Sequence, residues 1–254
     1  MGEALIAGLL DSGFDMEALS VAEADAERRR SLEAVFPALR VVPSAAWALP
    51  EADVAVVAVK PGDVAGVLSG ALEALGPATL VLSIAAGITI EALEAAAPGR
   101  PVVRAMPNTP AIVRKGAAAI SGGQHAVEQH LQLAERILGA VGTVVRVPEC
   151  QLDAVTGLSG SGPAYVFLVA EAMIEAGVLA GLSRETSRAL VTQMLLGAAT
   201  LLANGSTATE LREAVTSPGG TTAAGLRELE TRGLRAAMLD AVAAATARSK
   251  ELGA

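Results

Sequence analysis

The sequence predicts two folded parts in series, an α/β domain on a parallel sheet over residues 1–148 and an all-α domain over residues 149–254. Three observations predict it. Short β-like runs alternate with helical stretches through the first part, the pattern of strands joined by helical crossovers. The β signal stops after Pro148. Beyond that point, breaks at Gly181, Gly205 and Ser217-Pro218-Gly219-Gly220 separate nothing but helical periodicity.

Met1–Leu10 reads as an amphipathic helix that ends at Asp11-Ser12-Gly13, and no strand precedes it. The β runs are Leu19–Ala22, Val54–Val59, Leu80–Ile84, Val102–Met106 and Val144–Val147. The Val54 and Leu80 runs are continuously apolar, as expected of parallel strands covered on both faces. Helices are expected at Ala24–Phe36, Asp63–Leu75 and Val127–Leu138. In the second part they are expected at Pro163–Ala180, Ser183–Asn204, Ala208–Val215 and from Thr222 to the end. Ser183, and Thr207 with Glu210, have the chemistry of helix starts, the second pair as a capping box.

Composition removes several classes of function. The formal charge is −8 with scattered basic residues, which argues against a nucleic-acid or anionic-membrane surface. Cys150 is the only cysteine, so an internal disulfide is ruled out and a reducing, cytoplasmic compartment is expected. His125 and His130 share one polar helical stretch, and no metal-ligand spacing occurs. Met1–Leu10 lacks the basic flank and cleavage site of a signal peptide. Ala164–Leu182 is almost apolar, but Glu171 and Glu175 would be costly in lipid. A helix buried in a bundle or in a subunit interface is expected there.

Five segments have the residue types of a binding site, each with a plainer reading beside it. Gly2 opens the first helix, and Glu23 lies 21 residues on, at the end of the Leu19 run. That is the spacing of a glycine turn and ribose-binding acid in dinucleotide-binding βαβ units, and also of many ordinary helix–strand connections. Ala58-Val59-Lys60-Pro61-Gly62 follows a strand, either as a ligand-binding edge or as a βα turn with a solvated lysine. Arg104–Pro110 places Asn108 between two prolines, where it orients a carboxamide or caps its own backbone. Thr216–Thr222 and Leu158–Pro163 combine glycines, hydroxyls and an expected helix start, which makes either anion pockets or helix punctuation.

Taken together, certain stretches resemble the signature segments of pyrroline-5-carboxylate reductases. They are Thr156–Phe167, Glu171-Ala172-Met173 and Val215–Leu226, with Ala58–Gly62, Ser83–Gly87 and Arg104–Pro110. The similarity runs in register from Met1 to about Leu252, and Ser217–Thr222 is its most specific part. The resemblance implies a Rossmann-like nucleotide-binding domain followed by an all-α helical dimerisation domain. The family has a strand and a Gly-x-Gly-Asn-Met-Gly turn where this chain starts at Met-Gly. The first strand is therefore expected to be missing and Met1 to be an internal methionine.

The resemblance implies reduction of L-1-pyrroline-5-carboxylate to L-proline with NADPH (or NADH), without a metal, in a homodimer or larger homo-oligomer. By position, Met1, Gly2, Glu23, Ala58, Val59, Lys60, Pro61, Met106 and Asn108 are expected to line the cofactor. Ser217, Gly219, Gly220, Thr221 and Thr222 are expected to receive the substrate carboxylate. Ser161 and Glu171 are the candidate catalytic residues. Glu171 would steady the cationic ring nitrogen, and its plain alternative is one polar helix face shared with Glu175. Glu23 favours NADH, whereas Arg28, Arg29 and Arg30 one turn on favour a 2′-phosphate, and NADPH is the expectation carried forward. The rival readings are another imine- or keto-reducing dehydrogenase and a non-catalytic oligomeric remnant.

Overall fold

In the computed structural model, which describes residues 1–253, helix α1 (Gly2–Asp11) comes first and buries Leu5, Gly8 and Leu9 on one face. There follow β1 (Ser20–Ala22), α2 (Ala26–Val35), β2 (Arg40–Val42), α3 (Ala45–Ala48), β3 (Val54–Val57), α4 (Val64–Ala71) and β4 (Leu80–Ser83). After these come α5 (Ile90–Ala96), β5 (Val102–Met106), β6 (Gly116–Gly122), α6 (Glu128–Gly139) and β7 (Gly142–Arg146). Short polar residues start the helices by accepting from orphan amides: Asp25 from Arg28 N at 2.7 Å, and Thr89 from Ala92 N at 3.2 Å.

The strands form two sheets. β1 pairs in parallel with β2 alone, while β3-β4-β5-β6-β7 make a five-stranded sheet. All pairs are parallel except β5 with β6. The parallel sheet expected from the sequence is present, with an antiparallel strand, β6, within it and β1–β2 paired separately. β2 is too short to stand out, and β6 is Gly-Ala-Ala-Ala-Ile-Ser-Gly, small residues of weak strand propensity. β4 is buried throughout, as expected, and its alternate residues feed opposite cores. Leu80 and Leu82 join Leu5, Leu9, Val103, Ile120, Ile137 and Leu138, whereas Val81 joins Val57, Val64, Leu68, Leu93 and Val102. β3 departs from the expectation. It ladders with β4 on one side only, and Val56 is 36% exposed.

β6 and β7 approach closely through a glycine pair in register, Gly116 opposite Gly142. A Cβ on Gly142 would run into the Gly116 backbone carbonyl. Gly142→Ala is expected to lower stability by about 1–3 kcal/mol, the usual cost of overpacking. A thermal midpoint equal to that of the parent chain would contradict this contact.

The remaining helices are α7 (Leu152–Val155), α8 (Gly162–Leu179), α9 (Arg184–Ala203), α10 (Ala208–Ala214), α11 (Thr221–Thr231) and α12 (Leu234–Leu252). Ser183 caps α9, and Thr207 with Glu210 forms the expected capping box on α10. The Thr207 amide holds the Glu210 carboxyl below its usual range. That contribution is present above the carboxyl's unfolded pKa and is lost as pH falls through the lowered one. The helix expected from Thr222 onward is broken at Gly233, whose φ is +75°.

Contacts divide the chain into two units. One is Met1–Ser161 together with Ala244–Ala254, and the other is Gly162–Ala243. Within the second, only Ser187 and Val191 are buried. Phe167 is 67% exposed, Leu168 65% and Leu179 91%. Of the two settings expected for Ala164–Leu182, an intrachain bundle core is therefore excluded.

Candidate active site

The register places Val57, Ser83 and Arg104 in one row across β3, β4 and β5. Just beyond that row, the carboxyl ends of three parallel strands release Ala58–Pro61, Ile84–Gly87 and the Met106–Asn108 loop on one edge. Ligands of open α/β sheets bind at such an edge. Ala58, Lys60 and Pro61 are exposed and Val59 is half-buried. Pro61 starts a 3₁₀ turn over Pro61–Asp63, its fixed φ suiting a first helical position.

Helix α1 begins at the same edge, and a Cβ built on Gly2 would lie 3.5 Å from the Ala58 side chain. The first intrahelical bond is Leu5 N to Met1 O at 3.0 Å, so the amides of Gly2, Glu3 and Ala4 precede it. Glu3 pairs with Arg28 at the start of α2, which brings the β1–α2 turn alongside. In that turn the Glu23 carboxylate accepts from Asp25 N at 3.0 Å, and Arg29 donates to the carbonyls of Glu23 and Ala24. Met1, Gly2, Glu23 and Ala58 thus gather around one helix N-terminus. Its open amides and dipole suit a pyrophosphate.

Asn108 is fully engaged with the protein. Its Oδ1 accepts from Ala117 N of β6 at 2.8 Å, and its Nδ2 donates to Ser159 O and Oγ, both at 3.2 Å. It fastens the Met106–Asn108 loop to the segment around Ser159. Gly160 packs against the Met106 methyl, which a Cβ there would push aside. Thr156–Gly160 is a π-helical turn, closed by Ser161 N donating to Thr156 O at 2.8 Å. The expectation for Leu158–Pro163 holds in part: α8 opens at Gly162 after a bend at Ser161, but Leu158–Gly160 lies in the π turn and not in a loop. Single π turns are frequent at functional sites.

One ion pair lies outside the site residues expected from the sequence. Arg104 is buried at 8% exposure, and its guanidinium donates to Glu149 at 2.9 Å. The same carboxylate oxygen accepts from Ile90 N at 2.7 Å. An arginine inside the run Val102–Met106 was the available signal, because an ionised group in such a place needs a partner.

In the second unit, Ser217–Gly220 is a tight turn. Gly220 N donates to Ser217 O at 3.0 Å, Pro218 takes the second position, and Gly219 the third with φ +68°. This is a type II turn, whose third position favours glycine. Gly220 is the N-cap of α11 and offers no side chain to cap it. The first intrahelical bond there is Ala224 N to Gly220 O at 3.2 Å. The amides of Thr221, Thr222 and Ala223 therefore stand open beside two threonine hydroxyls. Glu171 is exposed on α8, in a shallow depression with Phe167, Ala170, Ile174 and Arg184.

Comparison with known proteins bears on this arrangement. Residues 149–252 match the family described as pyrroline-5-carboxylate reductase dimerisation. Residues 1–87 match the one described as NADP oxidoreductase, coenzyme F420-dependent. A pyrroline-5-carboxylate reductase of Mycobacterium tuberculosis is 45% identical over 277 residues, covering 99% of this chain and 93% of that one. The chain belongs to the pyrroline-5-carboxylate reductase family. A solved pyrroline-5-carboxylate reductase from Coxiella burnetii superposes with a TM-score of 0.94 at 35% identity, covering 100% of this chain and 95% of that one. Another, from Plasmodium falciparum with NADP bound, gives 0.86 at 31% identity over the same shares. The fold of this family member is accordingly a Rossmann-like α/β domain followed by a helical dimerisation domain.

Proposed function

We propose that this chain reduces L-1-pyrroline-5-carboxylate to L-proline, the last step of proline biosynthesis, using NADPH. The observation that carries the reading is a family likeness over essentially the whole chain, which includes both the strand-edge segments and the Ser217–Thr222 turn. In this reading residues 1–148 hold the cofactor, and residues 149–254 hold the substrate and the subunit contact.

The residues at the strand edge fit a dinucleotide. The amides of Gly2, Glu3 and Ala4 would take its pyrophosphate, Glu23 with the neighbouring arginines its adenosine ribose, and the Ala58–Pro61 and Met106–Asn108 segments the rest. When bound, the reduced nicotinamide supplies the hydride that the imine carbon accepts. Asn108 serves by holding its loop, since its own polar atoms are taken up by Ala117 and Ser159. The open amides of Thr221 and Thr222 receive the substrate carboxylate, and the hydroxyls of Ser217, Thr221 and Thr222 surround it. Glu171 stabilises positive charge on the ring nitrogen, and Ser161 orients the substrate from the end of the π turn. A protonated imine is already electrophilic, so position and electrostatics suffice without a strong acid.

The helical run Glu149–Leu179 is long and apolar enough to cross a membrane by length and composition. It lies within the segment matched to the dimerisation family, and we read its exposed apolar side as a subunit interface of a homodimer or larger assembly. A cytoplasmic location is proposed with it, supported by Cys150 as the only cysteine.

The test of activity is NADPH oxidation by the purified chain, with and without pyrroline-5-carboxylate, and with proline identified as product. Oxidation that needs no imine, or none at all, would end the proposal. Arg28 tests cofactor choice. Its pair with Glu3 is exposed on both sides and therefore weak, so the guanidinium is free to turn to a 2′-phosphate. Arg28→Ala is expected to raise the KM for NADPH by about fivefold or more and leave that for NADH nearly unchanged. An equal effect on both cofactors would remove the NADPH preference.

A further inference from the structure

We propose that the Arg104–Glu149 ion pair is a positioning device for the nicotinamide half of the site. It fixes the π-helical turn Thr156–Gly160 against the carboxyl end of β5. The inference rests on the function proposed above and names residues that act in it through others.

Three buried polar residues stand in register across the middle of an apolar sheet: Ser83 on β4, Arg104 on β5 and Ser121 on β6. Paired residues share a face, so two small hydroxyl side chains flank one long guanidinium. That guanidinium reaches Glu149, the first residue of the helical run that leads to the π turn. One carboxylate oxygen thereby ties together a central strand, the N-terminus of α5 and the start of the run.

Farther along the run, Asp153 accepts from the Ser249 hydroxyl at 2.7 Å, Ser159 accepts from Asn108, and Gly160 meets Met106. Glu149, Asp153, Ser159 and Gly160 thus each meet another element of the first unit. The position of the π turn depends on where Glu149 is held, because a helical rod pinned at its first residue carries its far end with it. An ion pair with its guanidinium buried is a poor choice for stability alone, since an apolar side chain in that place commonly does as well. At this place a valine or leucine would suit the sheet. What the pair adds is a fixed distance and direction between β5 and the run.

The experiment compares the full wild-type chain with Glu149→Ala and Glu149→Gln. Two quantities are read: amide hydrogen exchange without cofactor at Ile90 and residues 156–161, and steady-state turnover of pyrroline-5-carboxylate with NADPH. Glu149→Ala is expected to speed exchange at 156–161 and to lower kcat, each by about tenfold or more, with the substrate KM within about twofold. Glu149→Gln keeps a carbonyl oxygen that accepts both bonds and should restore most of both. Should Glu149→Ala not fold, Arg104→Met is read in the same way, because it leaves the partly exposed Glu149 to water.

Faster exchange confined to Ile90, or an unchanged kcat, would overturn the proposal and leave the pair a stabilising contact only. A wild type without turnover that still shows the exchange coupling would remove the proposed activity and keep the device. An active wild type without coupling would remove the device alone.

Discussion

Gly219→Val is expected to raise the KM for pyrroline-5-carboxylate by roughly a hundredfold while cofactor affinity stays near the parent value. A β-branched residue at φ +68° is strained, so the turn must rearrange. The open amides of Thr221, Thr222 and Ala223 then lose their aim. A hydrogen bond to a charged group contributes about 1.5–3 kcal/mol, and about 1.4 kcal/mol is a factor of ten. Two such bonds lost give the hundredfold. Thr221→Val removes one hydroxyl and keeps the turn, so about tenfold or more is expected from it. Unchanged substrate constants in both variants, measured by initial rates at saturating NADPH, would show that the segment only starts a helix.

That turn was legible in the sequence because its chemistry is local. Pro218, Gly219 and the two threonines announce a tight turn and a helix start, and the structure has both. Long, strongly patterned elements such as β4, α8 and α9 were equally plain. Other features depended on partners far along the chain. β6 is built of small residues, and it becomes a strand because Gly116 and Gly142 let two backbones approach. At the π turn, serines and glycines point to a loop because they break helices on average. Here the run continues through Ser159 and Gly160, with Asn108 bonded to one and Met106 packed on the other. The Arg104–Glu149 pair joins residues that no local pattern connects.

The second large effect concerns assembly. The chain is expected to sediment as a dimer or larger, with a thermal midpoint that rises with protein concentration. A helical unit in which only Ser187 and Val191 are buried cannot offset its own conformational entropy. Fully burying a side chain such as Phe167 or Leu168 contributes about 1.5–3 kcal/mol, and many are available on α8, α9 and α12. Phe167→Asp combined with Leu168→Asp is therefore expected to give monomers whose helical signal is largely lost. Sedimentation and circular dichroism on the same samples read both quantities. A folded monomeric double variant, or a concentration-independent midpoint in the parent chain, would contradict the subunit-interface reading.

The division of α12 has a consequence for synthesis. From Ala244 on, its residues belong to the first unit, where Ser249 bonds Asp153 and a Cβ on Gly253 would lie 3.1 Å from the Gly87 carbonyl oxygen. The helical unit is thus an insertion, and the first unit is completed only by residues made after it. At about 5–20 residues per second, roughly eighty residues of the insertion delay that completion by on the order of 4–16 s. Throughout that interval the nascent α/β unit lacks its closing segment while the apolar helices emerge. Demand for chaperones should therefore fall once residues 244–253 have emerged, and stalling within the helical unit should be more harmful than stalling before it.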